Sequence, residues 1–568
     1  MVRSLTGGLQ NAEQLFDGDT STAWFPGWNP LHYPAVIIVD VEKVYNLSKI
    51  RLFDGSGKPK LRFWATPAEA QPYQLLIEAQ LDAYQQWTTL EVSAQARFIK
   101  IELSDIQGDK VVGEIEFYAE DIIKSGSGQT VTPPPVIPLQ PRTGAALKLG
   151  SNGFHWVPAK LLEPFVLYRE YQCWDWMEAE RGVNRFEPTD GASGNYDTHY
   201  QLLKSLGIRP VACVNQTPDW LLEGYPKKNG RKDFKPVPWG ESTLEPRAYR
   251  FFARFLFQLA ARYGRAKIEA KVLTINAKSR WTGDGPNRSH SGLDLLEFIE
   301  VWNEPDKWWS DPEAYFSPQE YAAMLSAGYD GHEGRLGVGH GIKTADPSMK
   351  VVMGGLSNFN VDYLKQMKAW FVTHRKDRAF PADVINFHHY SNKNQALKPN
   401  FEEGIAPEAD NLQMKLRELV QYTRRELPGK AFWFSEFGYD TRQNSPQRAV
   451  PYTQHDIETV QGMWIVRSYL EAIAAGVDAA FVYNIIDEDN EHNGLFQSSG
   501  LAYSAKAGFG KKKSWQMVRE LAETLNGATL IANQSAGQLR MYVFEKEGNT
   551  FNISWTLNNT ISDIPKKG

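Results

Sequence analysis

Cysteine is nearly missing from this sequence. Among 568 residues only Cys173 and Cys213 occur, so no disulfide framework supports the fold and at most one bridge can form. Long hydrophobic runs are missing too: no stretch of about 18 apolar residues is present, which excludes a membrane-inserted helix. There is no excess of positive charge. Lys and Arg number 62 against 67 Asp and Glu, and a formal net charge of -5 argues against nucleic acid or an anionic membrane as partner. The start, Met1-Val2-Arg3-Ser4, lacks the apolar core of a targeting segment. No His/Cys cluster has metal-ligand spacing and no phosphate-cradling loop is found, so no catalytic cofactor is implied.

Aromatic residues are plentiful, at 12% of the chain with 18 Trp. Surplus tryptophan provides stacking surfaces for flat ligands such as sugars, or fills a core. The length calls for two or three domains. Residues 1–122 carry short strand-like runs such as Ala35 to Val41, Ile50 to Phe53 and Arg97 to Leu103, and read as a β-sandwich. Residues 123–144, with Ser125-Gly126-Ser127-Gly128 followed by Pro133-Pro134-Pro135, read as a linker. From 145 to 525, short apolar strands alternate with amphipathic helical segments, the rhythm of parallel βα units.

Eight strands can be counted there: Leu147 to Trp156, Phe165 to Tyr171, Arg209 to Asn215, Phe298 to Asn303, Lys350 to Gly355, Val384 to His389, Ala431 to Ser435 and Ala480 to Ile486. Eight such units close as a (β/α)8 TIM barrel with long loop insertions. Helices are expected at Asp197 to Ser205, Arg247 to Tyr263, Val361 to Arg375 and His455 to Ala475. Residues 526–568 read as a β-hairpin or partial β-sheet packed on the barrel.

Two strands end on a carboxylate. Phe298-Ile299-Glu300-Val301-Trp302-Asn303-Glu304-Pro305 places Glu304 at the fourth strand end, and Ala431-Phe432-Trp433-Phe434-Ser435-Glu436-Phe437-Gly438 places Glu436 at the seventh. A carboxylate at the mouth of a buried strand is costly unless solvated, paired or used. Barrel chemistry sits at the C-terminal strand ends, and two glutamates delivered there suit a glycosidase, which works with a pair of carboxyls.

Several stretches resemble known families. Phe16-Asp17-Gly18-Asp19-Thr20-Ser21-Thr22-Ala23-Trp24, with the closing runs Ala96 to Glu102 and Gly113 to Tyr118, resembles discoidin-type (coagulation factor 5/8 C-terminal type) domains. That resemblance implies a candidate carbohydrate-binding module with a structural calcium, for which Asp17 and Asp19 offer oxygen ligands. A plain turn at Asp17-Gly18-Asp19 and a purely structural spacer are the alternatives. Trp302-Asn303-Glu304-Pro305 and Ser435-Glu436-Phe437-Gly438 resemble the acid/base and nucleophile motifs of clan A glycoside hydrolases. The resemblance implies Glu304 as general acid/base, Glu436 as nucleophile, Asn303 on the sugar 2-hydroxyl and Tyr390 bonded to the nucleophile. Arg169 is expected to hold Glu436 anionic, with an Arg169–Glu170 pair as the alternative, and either His388 or His389 is expected to bind substrate.

Trp176-Met177-Glu178, Asn184-Arg185-Phe186-Glu187-Pro188, Gly207-Ile208-Arg209-Pro210 and Thr217-Pro218-Asp219-Trp220 resemble family thirty-nine glycoside hydrolases within that clan. Ala345-Asp346-Pro347 to Val352 continues the pattern. Strand eight, Phe481 to Asp489, departs from it: it is acidic and lacks the expected aromatic end. Trp220, Trp239, Trp281, Trp302, Trp308 and Trp309 fall in or beside loops of the catalytic face, and Trp220 and Trp308 head the candidates for substrate stacking. The reading is a retaining enzyme acting on a β-linked glycan, secreted or periplasmic with its signal absent from this sequence, or else cytoplasmic. An exo-acting β-xylosidase-like enzyme and a non-catalytic glycan-binding protein stay open as alternatives.

Overall fold

The computed structural model describes residues 2–6, 12–16, 24, 35–56, 60–68, 73–81, 86–103, 111–120 and 148–557, the last without 188, 192–193, 227–229, 281–284, 394–402, 453–454 and 489–493. The chain forms two compact units, Met1–Val136 and Ile137–Gly568. The expected linker lies outside the described residues, as do Asp17, Asp19 and Trp281.

The first unit is antiparallel: β1 (Val2–Thr6), β2 (Ala35–Ser56), β3 (Lys60–Thr66), β4 (Gln74–Gln80), β5 (Trp87–Leu103) and β6 (Val111–Glu120). The long β2 and β5 pair with each other, and their register shifts between Asp40 and Tyr45. Before the shift β1, β2, β5, β3 and β4 lie side by side; beyond it β6 takes the edge of β2. A bulge bends a strand and lets it serve two layers, so the two layers enclose Ile37, Ile50, Leu52, Phe63 and Ile101. This is the expected sandwich, with longer strands than the short runs suggest: Ala35 to Val41 and Ile50 to Phe53 both belong to β2.

In the second unit, eight parallel strands close into a barrel in chain order: β7 (Lys148–Gly153), β8 (Leu167–Cys173), β9 (Arg209–Asn215), β10 (Phe298–Val301), β11 (Lys350–Met353), β12 (Val384–His388), β13 (Ala431–Phe437) and β14 (Ala479–Val482). All eight expected strands are there; β7, β10, β11 and β14 stop two to four residues early. Expected helices appear at Tyr196–Ser205, Val361–His374 and Ile457–Ala475. The segment from Arg247 starts later than expected, because Pro246–Tyr249 is a 3-10 turn and the α-helix runs Arg250–Tyr263.

Helices also cover Pro318–Asp330, Leu412–Glu426 and Lys513–Leu525. The first opens on a capping box, Ser317 with Glu320, and closes on Gly331 at φ 66°. Its Tyr321 hydroxyl donates to the Val301 carbonyl at 2.8 Å and accepts from the Gly354 amide at 2.6 Å, stitching the ends of β10 and β11.

Of the two forms expected for the C-terminal segment, the small sheet is present: β15 (Thr529–Asn533), β16 (Leu539–Lys546) and β17 (Asn549–Thr556), the last two forming the hairpin. It packs on the barrel as expected. Tyr542, Phe544 and Trp555 join the barrel core, and the Trp555 indole donates to Glu408 at 2.8 Å. Cys173 and Cys213 are both free and buried. Among the described residues no helix is long and apolar enough to cross a membrane.

Candidate active site

Strand side chains alternate between faces, and the inward positions of the barrel build two tiers. The lower tier is apolar: Leu167, Val211, Phe298, Val352, Val384, Trp433, Ala479 and Phe481. Two residues further along β8, β9 and β10 stand Arg169, Cys213 and Glu300. Arg169 and Glu300 are fully buried, which is tolerable only with every charge and proton matched. Arg169 grips Glu300 through Nε and Nη2 at 2.6 and 3.0 Å. Its remaining donors reach Asn152 Oδ1, Glu436 Oε1 and Asn303 Oδ1, each at 2.8 Å. Glu300 also accepts from Asn386 Nδ2 at 3.2 Å and the Gly355 amide at 3.0 Å. Of the two expected partners for Arg169, Glu436 is present and Glu170 is not; Glu170 points outward and pairs with His199 at 3.1 Å.

Glu436 is buried at the top of β13 and surrounded by donors. Oε1 accepts from Arg169 and from the Tyr171 hydroxyl at 2.7 Å; Oε2 accepts from the Tyr390 hydroxyl at 2.9 Å. A fully ionised carboxylate is acceptor-only, and this shell suits it. Burial first, and then the charge of Glu436, push both phenols well above the ordinary tyrosine range, so they keep the protons they donate. The chain turns away at Gly438, where a Cβ would stand 2.1 Å from the Tyr483 carbonyl oxygen.

Glu304 arrives by a different route. β10 ends at Val301 because Trp302 turns to φ 77°, and Glu304 itself sits at φ 46°; both are left-handed conformations rare outside glycine. Such strain costs of order 1–3 kcal/mol per residue and persists where surrounding contacts over-determine it. Here the Trp302 amide donates to Val214 at 3.0 Å, the Glu304 amide donates to Gly355 at 3.1 Å, and the Trp302 ring is buried against Phe252 and Phe316.

His388 joins the two carboxylates. Its Nδ1 lies 3.0 Å from Glu304 Oε1 and 3.5 Å from Glu436 Oε2, and Nε2 lies 3.0 Å from Ser435 Oγ. The ring fits because residue 355 is glycine: a Cβ there would stand 2.1 Å from Nε2. One oxygen of each glutamate and a ring nitrogen of His388 all fall within 4.8 Å of one another. Burial works against charge on His388, but the charge of Glu436 and the hydrogen bond to Glu304 outweigh it and raise its pKa. For Glu304, burial pushes upward, while the bond to His388 and its charge prevail and hold the carboxyl below its usual range. The imidazole is therefore the more basic member of this pair. Asp306, two residues on, is pushed up to about 7 by burial and, among charges, by Glu304.

Of the residues singled out from sequence, Glu304, Glu436, Asn303, Arg169, His388 and Tyr390 converge. His389 does not: alternation turns it outward, where it is paired with the buried Asp410 and stacked on Phe359 at 4.5 Å. Trp220 is given over to packing against Trp174 and Phe251, and its indole donates to the Glu178 carbonyl. Trp302 is core, whereas Trp239, Trp308 and Trp309 are exposed. Strand eight does deliver an aromatic: the Tyr483 ring lies 6.4 Å from Tyr390 and 5.3 Å from Phe496.

Sequence reasoning missed Tyr171, Asn152 and Glu300. Tyr171 and Glu300 were within reach, since Tyr171 shares a face with Arg169 two residues earlier and Glu300 is a lone charge on an inward position.

Among the described residues two clusters have metal-like spacing: Glu304, His388 and Glu436, and Glu187, Asp197 and His290. In the second a cation is already in place, because Arg262 donates to Asp197 at 2.9 and 2.8 Å and to Glu187 at 3.3 Å. In the first, Arg169 and two phenols direct hydrogens at Glu436, leaving its oxygens poorly placed to ligate a cation.

No protein-family model matches the chain, and no curated protein does. Among solved structures the chain is similar to a family 39 glycoside hydrolase from the gut symbiont Bacteroides cellulosilyticus WH2, at 15% identity over 91% of this chain and 90% of that one, with a TM-score of 0.47. It is also similar to a GH30 endoxylanase from Clostridium papyrosolvens C71, at 12% identity over 73% and 83%, TM-score 0.41. A further likeness, over 21% of this chain and 91% of the other, is to a family 32 CBM from C. perfringens in complex with galactose, at 20% identity and TM-score 0.18.

Proposed function

We propose that this protein is a retaining glycoside hydrolase that cleaves β-linked glycans by double displacement. The observation that carries the reading is the spacing of its two carboxylates, with oxygens within 4.8 Å across a shared histidine. Retaining enzymes hold their carboxyls ~5–5.5 Å apart, whereas inverting ones need ~6.5–9.5 Å to admit a water. Glu436, fixed by Arg169, Tyr171 and Tyr390, attacks the anomeric carbon and forms a glycosyl ester. Glu304 gives a proton to the departing oxygen, then takes one from the water that hydrolyses the ester. The proton is held on His388 until a substrate oxygen arrives beside Glu304, and transfer over 3.0 Å supplies it.

Asn303 has a fixed orientation in this scheme. Arg169 has only donors, so the amide oxygen must face it and the amide NH2 is left for the sugar 2-hydroxyl. On this reading the N-terminal sandwich is an accessory sugar-binding module, and the enzyme works as a secreted or periplasmic protein, with a cytoplasmic one as the alternative.

Glu304→Gln tests the acid role. It should reduce kcat/KM on alkyl glycosides by about 10²–10⁴-fold while leaving dinitrophenyl glycosides, whose leaving groups need no proton, much less affected. Equal losses on both substrates would remove Glu304 from the role of acid.

A further inference from the structure

We propose that Trp156 is a stacking platform for a second sugar on the glycone side of the cleaved bond, so that the substrate is a β-linked oligo- or polysaccharide and not a lone terminal sugar. This rests on the double-displacement reading above. The two oxygens of Glu436 face different ways. Oε2 meets Tyr390 and lies 3.5 Å from His388, the ring shared with Glu304. Oε1 meets Arg169 and Tyr171 instead. The leaving group departs past the acid, Glu304, which follows β10; β7 lies three strands away round the closed barrel, and the retained sugar chain extends toward that side.

On that side an aromatic series leads outward from the site. The Tyr171 ring lies 5.6 Å from Phe154, just beyond the end of β7. Phe154 in turn lies 4.5 Å from Trp156 with the ring planes 3° apart. Stacking on Phe154 fixes the indole through one face, and 48% of Trp156 stays exposed. His155 meets the indole edge-on at 4.9 Å, and an aromatic held in this way with about half its surface open suits the apolar face of a pyranose ring. Trp308 and Trp309 are built differently: they meet edge-on at 90° on the loop leaving Glu304, which is the leaving-group side.

The test uses 4-nitrophenyl β-glycosides of xylose, glucose and galactose to find the preferred sugar, then its monosaccharide and β-linked disaccharide glycosides. The cleaved bond is the aryl bond in both, so the added sugar falls on the glycone side. Trp156→Ala should lower kcat/KM about tenfold on the disaccharide glycoside and change the monosaccharide glycoside by less than about twofold. Trp156→Tyr, which keeps a flat ring, should restore most of the loss. The same change on both substrates, or none on either, overturns the platform. Wild-type protein that cleaves no aryl glycoside of either length overturns the glycosidase reading instead.

Discussion

The lower and upper tiers of the barrel interior are neighbours, one inward step apart on β8 and β10, and they could hardly differ more. Below, Leu167, Val211, Phe298 and Trp433 exclude water and close the barrel with side chains that carry no charge. Above, Arg169, Glu300, Glu436 and Asn152 replace that packing with a hydrogen-bonded ionic lattice. A buried charge contributes little net stability even when paired, and breaking the pair is costly. The comparison teaches that this protein keeps stability and chemistry on adjacent rungs. The lower tier holds the barrel shut, and the upper one spends part of that stability on positioning a carboxylate.

The largest effect should come from breaking the upper tier at a residue remote from substrate. Glu300→Gln leaves Arg169 short of a counter-charge and should destabilise the protein by about 3–5 kcal/mol in urea unfolding, with a marked fall in kcat. Phe298→Leu, one step down on the same strand, should cost only about 1 kcal/mol and leave kcat unchanged. If both variants lose activity in proportion to stability, the tiers are not separate. Next in size, Tyr390→Phe removes one donor from Glu436 and should reduce kcat about tenfold to a hundredfold without altering the unfolding midpoint by more than the Phe298 variant does.

Smaller still is the pH effect that distinguishes the two carboxylates. His388 is raised above the ordinary imidazole value of about 6.5, so its proton is fully present below that pH and is lost as pH rises through the higher, folded value. The account expects kcat/KM to decline on the alkaline side above about pH 6.5, and the stability contributed by His388 to decline over the same window. A decline centred near pH 4–5 would mean that Glu304 titrates as an independent carboxyl.

Much of this was legible in the sequence. β9 announces itself as an unbroken apolar run, Pro210-Val211-Ala212-Cys213-Val214, because a parallel strand is buried on both faces. The two glutamates were legible because a charge ending such a run has few other uses. What could not be read depends on the third dimension. The bulge that lets β2 serve two layers leaves no turn signal, so the first unit looked more fragmented than it is. His388 and His389 are neighbours in sequence, and only the register of β12 decides which one faces the carboxylates. The location of the pair's proton follows from Glu436, contributed by another strand.

The claim on which the rest depends is that Glu436 becomes covalently glycosylated. Incubation with an activated 2-deoxy-2-fluoroglycoside of the preferred sugar, followed by peptide mass mapping, tests it directly. The account predicts a single added sugar on the peptide containing Glu436, with activity lost in step. A label on another residue, or an active enzyme that releases inverted product and takes up no label, would contradict it.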